Sequence, residues 1–419
     1  MKGLGTLFVL TSLVMNISWG AEIGALCYSN INEAAKVEGL NINKRLPIAS
    51  VSKLMTSHWL VAEKGLDYRF RTVLYLRKNS DESHDIHVQG SRDPYFGAEK
   101  LHYVISELNK RKITKIKTLS FDEEFKFYWF ADDPKSNRQV AVGHYVNPDP
   151  SSDTVIKQLR AYAKLTQGYD ETLKKAKERG LVMIENPEFQ VENFEFKSKN
   201  DFVPKITDQL FSIASQDSGD LLKEMNRNSN NHAANQIFEH LGSHRQYQKF
   251  IEQSLKLKTG DIVMLNGSGD RVDTPQGARY NEATCNATLK IIMDLHSLML
   301  EKKSSLARIA TVVGTNSGSA TQLYSSDVTF DSVVAKTGTV NPAVTLGGVA
   351  STQKGLVFFM FIVDPNGNFG KARQVIRSQL VSLINRNGGS KPINGRSFSF
   401  FTADLQSFSP LKLNQESQP

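Results

Sequence analysis

Three apolar runs near the C-terminus, TFDSVVAKTG (329–338), AVTLGGVA (343–350) and GLVFFMFIV (355–363), constrain the fold more than any other feature of the chain. Each has the length and the β-branched or aromatic content of a strand, and only a few residues separate one from the next. KARQVIRSQLVSLINR (371–386) follows and reads as a helix, while AEIGALCY (21–28) reads as an early strand. Such a set predicts an antiparallel sheet covered by helices.

The middle of the chain is mixed. LPIASVSKLMTSHWLVAEKG (46–65) carries Leu54, Met55, Trp59 and Ala62 at helical spacing, so a helix is expected from near Ser50 to Gly65. Apolar and polar residues alternate between 70 and 90, which predicts strands. Residues 99–113 and 151–180 read as helical, 187–205 as strand or linker, and 207–300 as successive helices. No repeat period is present. The expected fold is α/β (α+β), with an antiparallel sheet flanked by helices and a helical subdomain, split by an inserted mixed α/β domain.

Residues 1–20 read as a cleaved secretory signal. Lys2 precedes an apolar stretch (4–15), and Ser18 and Gly20 have the spacing of a cleavage site, so the mature chain is expected to start near Ala21. A chain of 419 residues with 40 % hydrophobic content suits a folded enzyme of two or three domains. Its formal charge of +8 is dispersed, without basic runs interleaved with aromatics, so nucleic acid is not an expected partner. No later segment is long and apolar enough to span a bilayer. The two cysteines, Cys27 and Cys285, make no disulfide framework; pairing is open, and two buried thiols are the plainer reading.

Three short motifs carry chemistry. Ser50 and Lys53 form Ser-x-x-Lys, and on a helix these positions share a face. A serine hydroxyl needs a base, and a desolvated lysine can be one. Ser229-Asn230-Asn231 places a hydroxyl and an amide between two helical patterns; Ser198-Lys199-Asn200 lacks a following amphipathic helix and is set aside. Lys336-Thr337-Gly338 ends a β-branched run and is preferred to Lys258-Thr259-Gly260, which follows a helix-like segment close behind Asn231. His240 and His244 have Gly242 between them and no glutamate after the first, so a metal site is not expected.

In this order the three motifs form the signature of penicillin-binding proteins and serine β-lactamases. LPIASVSKLMTSHWL, GSRDPYFG and LNGSGD extend the match, with Asn266 where an aspartate is usual. Together they resemble the class C low-molecular-mass penicillin-binding proteins, the D-Ala-D-Ala carboxypeptidase/endopeptidase family of serine peptidases (S13). The long stretch between Lys53 and Ser229 fits that family's insertion, but after VAVGHYVNPDP it turns helical and charged, so the insertion reads as shortened. The expected division is 21–73 with 205–403 as the catalytic domain, 74–204 as the reduced insert and 404–419 as a polar tail.

The resemblance implies a penicillin-binding, periplasmic D,D-peptidase acting on D-Ala-D-Ala termini and D-alanyl cross-links of peptidoglycan, with β-lactams as covalent inhibitors and no metal or organic cofactor. It implies Ser50 as nucleophile, Lys53 as its base, Ser229 with Lys336 as the route to the leaving amine, and Asn231 on a substrate amide. Thr337, Gly338 and Thr339 would bind the terminal carboxylate and backbone, and Trp129, Asp132 and Asp133 are candidate side-chain contacts from the insertion. A β-lactamase is the nearer alternative, and no Glu-x-x-Leu-Asn segment lies between the first two motifs to position its water. A non-catalytic wall-binding or β-lactam-sensing module is the other, against which Ser50, Lys53 and Lys336 all stand intact.

Overall fold

The computed structural model describes residues 21–31, 36–127, 129–130, 145–146, 153–166, 168–402 and 408–411. Two six-stranded sheets organise it. The first runs, in spatial order, through Thr311–Val312, Val333–Val340, Ala343–Thr352, Gly355–Asp364, Glu22–Asn30 and Glu38–Leu40, antiparallel throughout. The C-terminal apolar runs form its centre, and their lack of polar alternation has a simple cause: both faces are buried. Phe358, Met360 and Ile362 face a core shared with the helices Ser52–Lys64 and Cys285–Glu301. Phe359, Phe361 and Val363 face the final helix, Phe369–Arg386.

The second sheet runs Phe408–Leu411, Gln209–Ala214, Arg71–Lys78, His84–Gln89, Lys115–Phe121 and Gln190–Phe196. Its last two pairings are parallel. The helices Ala98–Lys110, Asp153–Ala163 and Tyr169–Glu178 belong to its core, with Leu101, Ile105, Val155, Leu159 and Ala176 buried against Ile86, Val88 and Ile116.

Two expectations need correction. Gln209–Ala214 is a strand, not the start of the helical block. LFSIA is a short apolar run, and such a run suits a buried strand as well as a helix turn. Segment 404–419, expected as a polar tail, contributes Phe408–Leu411 as an edge strand on Gln209–Ala214, with Phe408 stacked on Phe211 at 4.9 Å.

The cysteines are also bonded to each other rather than free. Cys27 lies in the early strand and Cys285 begins the helix Cys285–Glu301; their Cα atoms are 6.0 Å apart across a sequence separation of 258. Neither cysteine is solvent-exposed. Closing so long a loop removes chain entropy from the unfolded state, about 2–5 kcal/mol for a native bridge. The double variant Cys27→Ala/Cys285→Ala is therefore expected to unfold at lower denaturant concentration, read by circular dichroism. An unchanged midpoint would show that the bridge adds no stability.

Candidate active site

The nucleophile candidate sits on a constrained turn. Ala49–Val51 is a single 3-10 turn leading into the helix Ser52–Lys64. Ala49 has φ +48°, a left-handed conformation that costs a non-glycine residue about 1–2 kcal/mol. Its neighbours hold it there. Ser52 Oγ donates to the Ala49 carbonyl at 2.7 Å, and Thr345 Oγ1 donates to the Ile48 carbonyl at 3.0 Å. Gly269, at φ +77°, lies so close that a Cβ there would sit 1.9 Å from the Ala49 oxygen.

One helical turn on, Lys53 reaches back. Its Nζ lies 2.9 Å from Ser50 Oγ, 2.7 Å from Asn231 Oδ1 and 3.0 Å from the Ser268 carbonyl. The side chain is fully buried. Burial first, then the Lys336 charge, pushes its pKa well below the usual lysine range, and Asp270 opposes the fall. A neutral amine has two N–H groups and one lone pair. Asn231 Oδ1 and the Ser268 carbonyl only accept, so they take the two N–H groups, and the lone pair is left for the Ser50 hydroxyl.

Ser229-Asn230-Asn231 joins two helices, and each residue has its own part. Ser229 ends Ser218–Asn228 in a left-handed conformation, φ +54°. Asn230 caps the next helix, Asn231–His240, by accepting from Ala233 N at 3.0 Å. Asn231 turns its amide to Lys53. Lys336, in the strand Val333–Val340, donates to Ser229 Oγ at 2.9 Å and to the Thr337 carbonyl at 2.8 Å. Burial lowers its pKa to about 7. The two lysines are buried, whereas Ser50 and Ser229 are partly exposed. Substrate can thus reach the hydroxyls while the amines stay dry.

Gly338 explains how the strand meets Ser50. A Cβ there would lie 2.8 Å from Ser50 N and 2.3 Å from Thr345 Oγ1, so a larger residue would part them. Thr311–Val312 pairs with this strand only at Ala335 and Val334. Among the described residues, no strand pairs with that edge from Lys336 to Val340, so a peptide could add there. Thr339 is exposed at this edge, and Thr337 Oγ1 lies 2.8 Å from Ser319 Oγ.

Ser50, Lys53, Ser229, Asn231, Lys336, Thr337, Gly338 and Thr339 therefore share one cleft. The alternative motifs lie elsewhere. Lys258 is exposed, with Thr259 Oγ1 bonded to Glu252, and Ser198 bonds Asp201 beside the second sheet. His240 bonds the Tyr68 hydroxyl at 2.8 Å. Trp129–Phe130 pairs with Tyr145–Val146, but the Trp129 side chain, Asp132 and Asp133 fall outside the described residues. Sequence reasoning assigned no role to Ser268, Asp270 or Ser319. The block LNGSGD signalled the first two, and no motif signalled Ser319.

This fold and cleft define a penicillin-binding-type serine peptidase. The model of the D-Ala-D-Ala carboxypeptidase 3 (S13) family matches residues 198–387. The predatory endopeptidase Bd0816 of Bdellovibrio bacteriovorus, solved with the immunity protein Bd3460, is 32 % identical, with 93 % of this chain and 100 % of that chain covered and a TM-score of 0.84. A penicillin G-acylated structure of the predatory endopeptidase Bd3459, from the same organism and also with Bd3460, is 30 % identical with the same coverage and TM-score. Penicillin-binding protein 4 of Haemophilus influenzae shares the fold at 16 % identity and TM-score 0.60, over 88 % of this chain and 97 % of that one. Comparison with curated protein sequences returned no match. The chain belongs to the D-Ala-D-Ala carboxypeptidase (S13) family of serine peptidases.

Proposed function

We propose that this protein hydrolyses D-Ala-D-Ala termini and D-alanyl cross-links of peptidoglycan through an acyl-enzyme on Ser50. The observation that carries the proposal is the buried Lys53 amine, 2.9 Å from Ser50 Oγ with both its N–H groups engaged by acceptors. Ser50 attacks the carbonyl of the penultimate D-alanine, and Lys53 takes its proton. Backbone N–H groups of Ser50 and Thr339 stabilise the oxyanion, the role in which fixed dipoles contribute most. Ser229, hydrogen-bonded to Lys336, passes a proton to the leaving amine. Asn231 holds a substrate amide, and Thr337 and Thr339 with Lys336 hold the terminal carboxylate. Water then releases the acyl group. A β-lactam follows the same first step and stays bound as a covalent inhibitor.

Residues 1–20 act as a secretory signal, and the mature protein works in the periplasm. Among the described residues no helix is long and apolar enough to cross a membrane. Most of 21–73 and 205–403 forms the catalytic domain, and 74–204 is an insertion shorter than is usual in the family, whose sheet also takes in Arg71–Lys78 and Gln209–Ala214 from across the expected boundaries. A shorter insertion leaves the groove open to branched, cross-linked peptides as well as to free pentapeptide tails. Cleaving a cross-link is the same chemistry with a larger leaving amine. The names of the Bdellovibrio relatives, endopeptidases both, support that half of the proposal.

The test is digestion of purified sacculi with the mature protein, followed by separation of the muropeptides. Both pentapeptides and cross-linked dimers are expected to disappear. Dimers that persist at high enzyme concentration while pentapeptides shorten would mark a strict carboxypeptidase and close the groove.

A further inference from the structure

We infer that Asp270 is a positioning residue for the Ser50–Lys53 pair, acting through Asn231 and holding a negative charge beside the base. This rests on the proposal that Lys53 deprotonates Ser50. The Asn231 amide bridges the two groups. Its Oδ1 lies 2.7 Å from Lys53 Nζ, and its Nδ2 donates to Asp270 Oδ2 at 3.0 Å.

A carboxylate only accepts and an amine proton is only donated, so the two neighbours make opposite demands on the amide. Together they fix which end faces the base. An amide between two neutral partners could turn over; this one is locked, and Asn231 has one N–H left for a substrate carbonyl.

The carboxylate is itself held by its turn. Asp270 Oδ1 accepts from Arg271 N at 2.8 Å, Asp270 N donates to Ser268 Oγ at 3.1 Å, and the Asp270 carbonyl accepts from Asn266 Nδ2 at 3.1 Å. The same turn supplies the Ser268 carbonyl to Lys53 and packs Gly269 against Ala49. The adjacent cation, Arg271, pairs with Asp273 at 2.7 Å and so does not neutralise Asp270.

Two charged groups face Lys53 from the packed elements: Lys336 from the strand Val333–Val340, and Asp270 from this turn. Ser50, Ser229 and Asn231 are neutral. Lys336 and burial depress the basicity of Lys53, and Asp270 opposes them. A base depressed too far is always neutral but removes protons poorly, because proton transfer is most efficient when the base's pKa lies near the working pH. Asp270 keeps Lys53 basic enough to act.

The experiment measures the rate of Ser50 acylation by fluorescent penicillin from about pH 5 to 10, where the acid limb reports protonation of the base. Asp270→Asn and Asp270→Ala remove the charge. Their acid limbs are expected to move to lower pH, because Lys53 then stays neutral further into acid. The plateau rate is expected to fall about three- to tenfold as the base weakens. Asp270→Glu restores the charge and is expected to restore the limb. If all three variants keep the wild-type limb, whether or not the rate falls, Asp270 has only a structural role and the inference is overturned. Thermal melts of each variant separate misfolding from the pH effect. Wild-type protein and Ser50→Ala run alongside: labelling that survives in Ser50→Ala breaks the parent proposal and leaves the Asp270 profiles to be read separately.

Discussion

Ser50→Ala is expected to take up no fluorescent penicillin, whereas Ser52→Ala should still label. The two hydroxyls are two residues apart, yet the chain gives them opposite surroundings. Ser50 is partly exposed and lies 2.9 Å from the Lys53 amine. Ser52 has no solvent exposure, and its hydroxyl is spent on the Ala49 carbonyl at 2.7 Å. Removing Ser52 Oγ takes one of two donors from the Ala49 carbonyl, which keeps the Ser52 N–H. Ser52→Ala should therefore lose about 1 kcal/mol of stability, melt earlier and keep its covalent chemistry. A denaturing gel and a thermal melt read the two effects separately. A labelled band in Ser50→Ala would move the nucleophile elsewhere.

Lys336→Ala and Lys258→Ala should differ by orders of magnitude on a D-Ala-D-Ala peptide. Both lysines open a Lys-Thr-Gly, so sequence alone offers two candidates. Lys336 is buried, bonded to Ser229 Oγ, and lowered to about pKa 7, where it can both give and take a proton near neutrality. Its loss removes the partner of Ser229, and turnover should fall about 10²–10⁴-fold. Lys258 is exposed in a turn, and its replacement should change stability or transition-state binding by no more than about 0.5 kcal/mol. Similar losses of turnover in the two variants, with folding intact by thermal melting, would refute this choice of strand.

Much of the architecture was legible because burial on two faces leaves an unmistakable pattern. The run LVFFMFIV can hardly be anything but a central strand, and the helix after it must cover that strand. LFSIA at 210–214 was harder, since five apolar or small residues fit a strand and a helix turn alike, and only the neighbouring Arg71–Lys78 decides between them. The Cys27–Cys285 bond was hidden for a related reason: the sheet that carries Cys27 to the start of a distant helix is a property of topology, not of spacing. In the cleft, side-chain motifs stand out in the sequence because their residue types are chemically distinctive. Ser268 did not, because it serves Lys53 through its backbone carbonyl, which every residue possesses. Ser319 did not, because its nearness to Thr337 depends on how the short helix Ser319–Tyr324 is placed.

The return of the chain ends to the sheets has a consequence for the order of folding. The strand Glu22–Asn30 is completed by Gly355–Asp364, and Arg71–Lys78 needs Gln209–Ala214, which in turn waits for Phe408–Leu411. Between the two sheets the segment after the final helix crosses from one unit to the other: Ile393 N donates to the Asp331 carbonyl, and Phe401 is buried in the second core. Neither sheet reaches its full width until the last part of the chain exists. Contacts so distant in sequence form late and slowly, because loop closure is unfavourable before any pairing rewards it. As the chain is made, its early strands therefore spend that time with unpaired edges, the condition in which strands are most prone to associate with the wrong partner.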